Sequence, residues 1–299
     1  MNIKAEWIAV DWGTSRLRVW AMQGHKVLAQ AQSDKGMGHV NKGAFEAAFL
    51  ELVEDWLGAA PIDVIACGMV GARQGWAEAP YATVPATPLP EMPVRVPGTD
   101  ARMRVYIVPG LRQLKPADVM RGEETQIAGF LAQNPNWDGV ICLPGTHTKW
   151  AQISANEVVS YQTFMTGEMY ALLSSQSVLR HSIGQGWDEA AFQDSLAETL
   201  SRPESLAARL FGLRAKDLLE GQAGDTARAR LSGLLIGAEL AASRPYWLGQ
   251  RVAVIGADTI AKVYASALQP QGAPVTILDC NEMTIAGLIA ARKHVRAMA

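Results

Sequence analysis

The chain has 299 residues, 49% of them hydrophobic, and a formal net charge of −2. That length and composition support a large buried core in one or two domains. The balanced charge and the lack of any run of about 18 apolar residues argue against nucleic acid or a membrane as the main partner. The N-terminal Met1-Asn2-Ile3-Lys4-Ala5-Glu6 lacks the charged-then-apolar build of a signal peptide. Cys67, Cys142 and Cys280 lie in or at the end of apolar runs, with no His or Cys at ligand spacing. Buried reduced thiols and a cytoplasmic location are the resulting expectations.

Trp7-Ile8-Ala9-Val10 reads as a strand, and Leu17 to Ala21 alternates like a half-buried one. Lys26 to Ala29 follows a turn at Gln23-Gly24-His25, so the chain opens with an antiparallel meander. The spacing predicts a helix from an Asn41 cap to about Trp56, with Phe45, Phe49, Leu52, Val53 and Trp56 on one face. Val64 to Cys67 is a strand ending at Gly68. Pro85, Pro88, Pro90, Pro93 and Pro97 exclude a central strand or helix between Tyr81 and Asp100. A strand at Val105 to Val108 and a helix from Gly122 to about Leu131 come next. A second meander spans Gly139–Leu143, Thr148–Ile153 and Val158–Tyr161. Residues 167–244 are mostly helical by pattern. The chain closes strand–helix–strand–helix: Val252–Ile255, Thr259–Leu268, Val275–Leu278, and Met283 to the end. The repeated meander with a Gly-Thr turn suggests two related α/β domains, 1–121 and 122–299, facing each other across a cleft.

Five segments could carry chemistry. In Asp11-Trp12-Gly13-Thr14-Ser15-Arg16, a strand delivers an acid, a Gly and two hydroxyls into a tight turn. Such a turn can present backbone N–H groups to a phosphate, and Asp11 could hold Mg²⁺. The bland reading is an ordinary hairpin. Gly145-Thr146-His147-Thr148-Lys149 forms a second such turn; His147 there is open between catalysis and a simple turn contact. In Arg121-Gly122-Glu123-Glu124, two acids open a helix, where the helix dipole alone would favour them. Either could instead be the general base of a phosphoryl transfer. Gly256 and Ala257 after a strand, and the small residues of Asn281 to Gly287, would let a flat ring approach the backbone. The lack of a full G-x-G-x-x-G argues against a dinucleotide fold. Arg73, Gln74 and Trp76 sit among glycines just after a strand: Arg73 can fork onto a carboxylate and Trp76 can wall a sugar face, or both can be surface loop. Lys35-Gly36 belongs to a second Gly-rich loop that could close the same pocket.

The order of these motifs resembles the superfamily of sugar kinases, heat-shock chaperones and actin. More closely, the chain resembles the 2-dehydro-3-deoxygalactonokinase family. That resemblance rests on Val10–Ser15, Gly68–Trp76, Met120–Gln126, Leu143–Trp150 and Phe164–Glu168, which together span most of the chain. It implies two actin-like (ribonuclease H-like) domains with mixed sheets flanked by helices, and ATP and substrate in the cleft between them. It implies ATP- and Mg²⁺-dependent phosphorylation of the 6-hydroxyl of 2-dehydro-3-deoxy-D-galactonate in galactonate breakdown, with Glu168 also in the substrate site. Gln126 and Ala128 stand two and four residues after Glu124, as in related sugar kinases, so the resemblance selects Glu124 as base over Glu123. Trp12 departs from the pattern, standing where many sugar kinases have Gly. A kinase of another sugar acid, a non-catalytic sugar sensor and an ATP-driven chaperone or filament protein are the alternatives. The assembly state is left open, with a homodimer as one candidate.

Overall fold

The computed structural model describes residues 3–90 and 92–297. The opening meander is β1 (Trp7–Trp12), β2 (Leu17–Gln23) and β3 (Lys26–Ser33). Helix α1 (Phe45–Val53) and strand β4 (Ile62–Cys67) follow. The proline-dense stretch holds only two short strands, β5 (Tyr81–Thr83) and β6 (Val94–Arg95), each at a sheet edge, where a missing N–H is tolerated. Next come β7 (Met103–Ile107), β8 (Gly110–Leu114), β9 (Ala117–Met120) and α2 (Glu123–Gln133). The second meander is β10 (Gly139–Leu143), β11 (Thr148–Ser154) and β12 (Glu157–Phe164). Helices α3 (Thr166–Ser175), α4 (Glu189–Ser201), α5 (Leu206–Glu220), α6 (Gly224–Ala242) and α7 (Arg244–Trp247) fill the predicted helical region. The close is β13 (Val252–Gly256), α8 (Asp258–Leu268), β14 (Val275–Asp279) and α9 (Cys280–Arg296). Of the helix expected from Met283 to the end, Met298 and Ala299 lie outside the described residues, as do Met1 and Asn2 of the N-terminal reading.

The contacts divide the chain into two compact units. The first comprises Met1–Trp137, Ile153–Ser160 and Cys280–Ala299; the second comprises Asp138–Gln152 and Tyr161–Asp279. The division is not the expected one at 121/122, because α2 and α9 both pack within the first unit. Their backbones touch: a Cβ on Gly129 would lie 2.0 Å from the Met283 carbonyl oxygen, and one on Gly287 1.8 Å from that of Thr125. Gly287 therefore serves a helix–helix contact and not the approach of a flat ring. The chain leaves the first unit after α2, contributes Ile153–Ser160 to it, and returns to it with α9.

The first unit carries a six-stranded sheet of order β3-β2-β1-β4-β7-β6 and a small sheet β5-β8-β9 that the sequence pattern did not reveal. The period of two in β1 feeds two cores. Ile8, Val10 and Trp12 join Phe45, Phe49 and Val53 of α1 on one face. Trp7 and Ala9 join Leu288, Ala291 and Val295 of α9 on the other. That second cover explains why β2 is buried from Leu17 to Met22 apart from Arg18, and not half-buried as its alternation suggests. Asn41 does not cap α1: the helix starts at Phe45 with no side-chain cap, and Glu54–Trp56 continues as a 3-10 turn.

The second unit is built on a sheet of order β12-β11-β10-β13-β14, in which β10, β13 and β14 are parallel. Every residue of β10 and β13 is buried, as expected for parallel strands covered on both faces. Helices α4 and α6 cross closely at Gly233, where a Cβ would lie 2.1 Å from Ser195 Oγ. Among the described residues, no helix is long and apolar enough to cross a membrane.

Candidate active site

Each unit presents one cluster of candidate residues. In the first, the hairpin register sets Arg18 of β2 directly opposite Asp11 of β1. Its guanidinium donates to Asp11 Oδ2 and, through its other terminal nitrogen, to Asn281 Oδ1 at the start of α9. Asp11 is nearly enclosed, and burial pushes its carboxyl up; the Arg18 charge opposes that, and the Glu123 charge adds to it.

The turn after β1 is held from outside. Gly13 N–H donates to Arg16 O (3.0 Å), while Met37 and Gly38 N–H groups donate to Gly13 O and Thr14 O (both 2.9 Å). Gly36 makes this possible, since a Cβ there would stand 2.3 Å from Thr14 O. The clasp leaves Thr14, Ser15 and Arg16 exposed at the tip. Trp12 turns away from the tip into the α1 core. It packs against Phe45, Phe49 and Trp76, and its Nε1–H donates to Lys35 O (2.9 Å). Trp76 is thus largely a core residue. Lys35 Nζ pairs with Glu51 (2.5 Å), whereas Arg73 is 82% exposed and stands 3.9 Å from Glu78, and Gln74 is exposed.

Helix α2 brings the two acids to this cluster. Gly122, at φ +113°, lies against Gly68, which has φ +93° at the end of β4. A side chain at Gly68 would meet Trp12 O at 2.7 Å, so only glycine lets the α2 start come this near the end of β1. Glu123 is half-buried, and its Oε2 accepts from Arg121 N–H (3.1 Å). Glu124 is fully buried. Its Oε2 accepts from Gly122 N–H (2.7 Å), and its Oε1 pairs with the Thr125 hydroxyl (3.0 Å). Burial, and then the Glu123 charge, raise its carboxyl to about 8.

In the second unit, the turn after β10 exposes Gly145, Thr146 and His147. Gly167, at the start of α3, presses on this turn: a Cβ there would lie 2.1 Å from Gly145 O. Glu168 N–H donates to Thr146 O (2.9 Å), and its carboxylate pairs with His147 Nε2 (2.6 Å). Thr148 does not join the exposed group, because it is the first residue of β11 and its hydroxyl is buried against Tyr264 OH (3.0 Å). Lys149 is also buried, with Nζ donating back to His147 O (3.1 Å). Beside the turn opens a pocket of about 830 Å³, lined by Gly145, Thr166 and Gly167, by Leu235 and Ile236 of α6, by Ala257 and by Ile260 and Val263 of α8. Trp187 and Arg228 stand at its wall. Ala257 meets the pocket as expected, whereas Gly256 packs toward Pro144, whose Cγ would lie 3.1 Å from a Cβ.

The 2-keto-3-deoxy-galactonokinase family profile matches residues 11–291, which include both clusters. The chain belongs to this family. A Rhizobium meliloti protein named as a probable 2-dehydro-3-deoxygalactonokinase is 37% identical over 99% of each chain. The Escherichia coli 2-dehydro-3-deoxygalactonokinase is 34% identical over 95% of this chain and 96% of its own. A solved Sinorhizobium meliloti structure of the same protein type superposes with a TM-score of 0.89, at 36% identity and 98% coverage of both chains. A likeness of fold alone extends to the Clostridium difficile activator of 2-hydroxyisocaproyl-CoA dehydratase, at a TM-score of 0.53 and 10% identity.

Within this galactonokinase family member, the structure gathers Asp11, Gly13 to Arg16, Gly36, Glu123 and Glu124 in the first unit. It gathers Gly145 to His147, Glu168 and Ala257 in the second. Sequence reasoning missed Arg18, although a six-residue strand, a tight turn and an antiparallel return place it across from Asp11 by counting alone. It also missed Glu239 and Tyr264, buried beside the pocket at helical positions that carry no local motif.

Proposed function

We propose that the protein transfers the γ-phosphoryl group of ATP to the 6-hydroxyl of 2-dehydro-3-deoxy-D-galactonate, giving the 6-phosphate and ADP in galactonate breakdown. The observation carrying this reading is the convergence of the β1 turn, the Gly68 loop and the carboxylates of α2 in the first unit. Those are the parts a phosphoryl transfer to an alcohol needs. An actin-like pairing of the two units around one ATP belongs to the same proposal.

The exposed hydroxyls and backbone donors of Thr14, Ser15, Gly145 and Thr146 bind phosphate oxygens, and the apolar pocket beside Gly145 takes the nucleoside. Its size falls within the usual range for small-molecule sites, roughly 300–1,000 Å³. Arg73, mostly exposed, offers its guanidinium to the substrate carboxylate and so selects which hydroxyl is presented. Glu123 accepts that hydroxyl's proton. The resemblance to sugar kinases selects Glu124, but a base must touch its substrate. Glu124 is fully buried, engaged at both oxygens, and protonated at neutral pH by its raised pKa. Its part is to hold the α2 start in place.

For Mg²⁺, no three His, Cys, Asp or Glu side chains among the described residues form a cage. Asp11, with Arg18 on one oxygen, fits an ion arriving on ATP and not a resident one. When bound, the ion supplies charge neutralisation on the phosphates. Asp11 would hold it, directly or through water.

A coupled ADP-release assay across aldonates, 2-keto-3-deoxy acids and neutral sugars tests the reading, with ³¹P NMR of the product. The expected result is turnover of 2-dehydro-3-deoxy-D-galactonate with phosphate on O6. Turnover restricted to another substrate class, or none with any acceptor, refutes it.

A further inference from the structure

We propose that Glu239, on α6, is a positioning residue for the nucleotide pocket of the second unit; this rests on reading that pocket as the nucleoside site of ATP. Glu239 is 3% exposed, yet its carboxylate gathers three donors from three other elements. Oε1 accepts from Trp150 Nε1–H of β11 (2.8 Å). Oε2 accepts from Tyr264 OH of α8 (2.9 Å) and from the Thr166 hydroxyl at the start of α3. Tyr264 OH in turn lies 3.0 Å from Thr148 Oγ1, at the end of the second turn. Thr166 and Tyr264 both line the pocket, and α3 also braces the turn through the Glu168-to-Thr146 bond. One carboxylate thus ties the turn strand, the α3 start and the α8 wall to α6.

A stability role alone accounts poorly for this group. Burying a carboxylate carries a desolvation penalty that well-packed apolar residues avoid. Here, among the described residues, it is met by three neutral donors and no Lys or Arg. Burial raises the Glu239 carboxyl to about 7, and the bonds from Thr166, Trp150 and Tyr264 hold it from rising further. What those bonds fix is the relative placement of the pocket's walls, and with it the fit of a nucleoside.

The test is Glu239→Gln in the full chain. The amide offers one acceptor oxygen for three donors and turns an NH₂ toward at least one of them. The Kd of a non-hydrolysable ATP analogue, measured by calorimetry without sugar acid, is expected to rise about tenfold, a typical cost of losing one buried bond. KM for the sugar acid should stay within about twofold, as expected of a group outside the acceptor site. Tyr264→Phe is expected to move Kd in the same direction, and it decides the matter if Glu239→Gln does not fold. Thr199→Val is the structural control: it removes an equally buried hydroxyl that donates to Leu234 O (2.7 Å) between α4 and α6, and neither Thr199 nor Leu234 lines the pocket. It should lower Tm and leave the analogue's Kd alone. Val263→Trp fills the pocket and tests the underlying reading. If Val263→Trp weakens the analogue while Glu239→Gln and Tyr264→Phe do not, the positioning role is overturned and the pocket stands. If Thr199→Val raises Kd as much as Glu239→Gln does at equal loss of Tm, the role is structural only. If Val263→Trp leaves Kd unchanged, the pocket reading fails and this inference with it.

Discussion

Glu124→Gln replaces the buried carboxyl at the start of α2 with its neutral isostere. In the native chain that carboxyl is raised from 4.5 to about 8, mainly by burial. The folded state therefore holds its proton more tightly than the unfolded state does. The stabilisation this gives is complete below about 4.5, declines as pH rises, and is gone above about 8. At 1.36 kcal/mol per pK unit, the native chain loses roughly 3 kcal/mol between pH 5 and pH 8 relative to a group that does not titrate. A glutamine can keep both contacts of the protonated acid, its oxygen accepting from Gly122 N–H and its NH₂ donating to Thr125 Oγ1. The variant should match the wild type at pH 5 and exceed it by roughly 3 kcal/mol at pH 8, a Tm gap of about 5–10 °C. Thermal and urea unfolding at pH 5, 6.5 and 8 measure this directly. A gap that does not widen with pH, or a variant less stable at pH 8, would refute the reasoning. Kinetics add a second arm. Glu123→Gln should cost about 10²–10⁴ in kcat, the usual range for a lost general base. A loss of that size in Glu124→Gln instead, with normal stability, would return the base to Glu124.

Arg18→Met leaves Asp11 enclosed without its counter-charge, which should cost about 3–5 kcal/mol and weaken Mg-ATP binding, with partial recovery in Arg18→Lys; unchanged Tm would show that Asp11 does not need the pair. Arg73→Ala should raise KM for the sugar acid by at least about tenfold with Tm unmoved, because the side chain is mostly solvent-exposed; steady-state kinetics with unaltered KM would remove Arg73 from the site. Gly36→Ala places a methyl 2.3 Å from the Thr14 carbonyl oxygen and should cost about 1–3 kcal/mol while raising KM for ATP. A stable Gly36→Ala enzyme with native KM would mean that the clasp does not shape the turn.

Most strands and their turns were legible because each is a compact apolar run ended by glycine or a polar turn, and such signals are local. What was not legible depends on distant partners. The alternation of β2 signals one wet face, yet α9, more than 250 residues later, covers it. The α2–α9 contact depends on Gly129 and Gly287 meeting backbones, and nothing near either glycine announces that. For the same reason, a boundary at 121/122 followed from chain order, while the packing returns α9 to the first unit. Within the candidate site, residue type and spacing located the turns and the acid pair. They could not say which way a side chain faces. Trp12 and Trp76 pack with each other and Phe49, Thr148 turns inward to Tyr264, and Glu124 is sealed where Glu123 is half-buried.

The glycines of the two turn motifs show how much that orientation matters. By type alone, each is a place where a phosphate could approach the backbone. Around the first turn, Gly36 and Gly68 are already in contact with the chain's own carbonyls, so their missing side chains serve the fold. Gly167 does the same for the second turn. Gly13 and Gly145 differ: a Cβ on Gly13 would meet nothing closer than 3.8 Å, and one on Gly145 nothing within 4 Å. Neither has a steric reason to be glycine in the folded chain, and neither has a positive φ that would demand one. The space in front of them is what a ligand would use. One stands in each unit, at the tip of a turn whose neighbouring hydroxyls are exposed, and that symmetry supports two phosphate-facing turns more strongly than either motif does by itself.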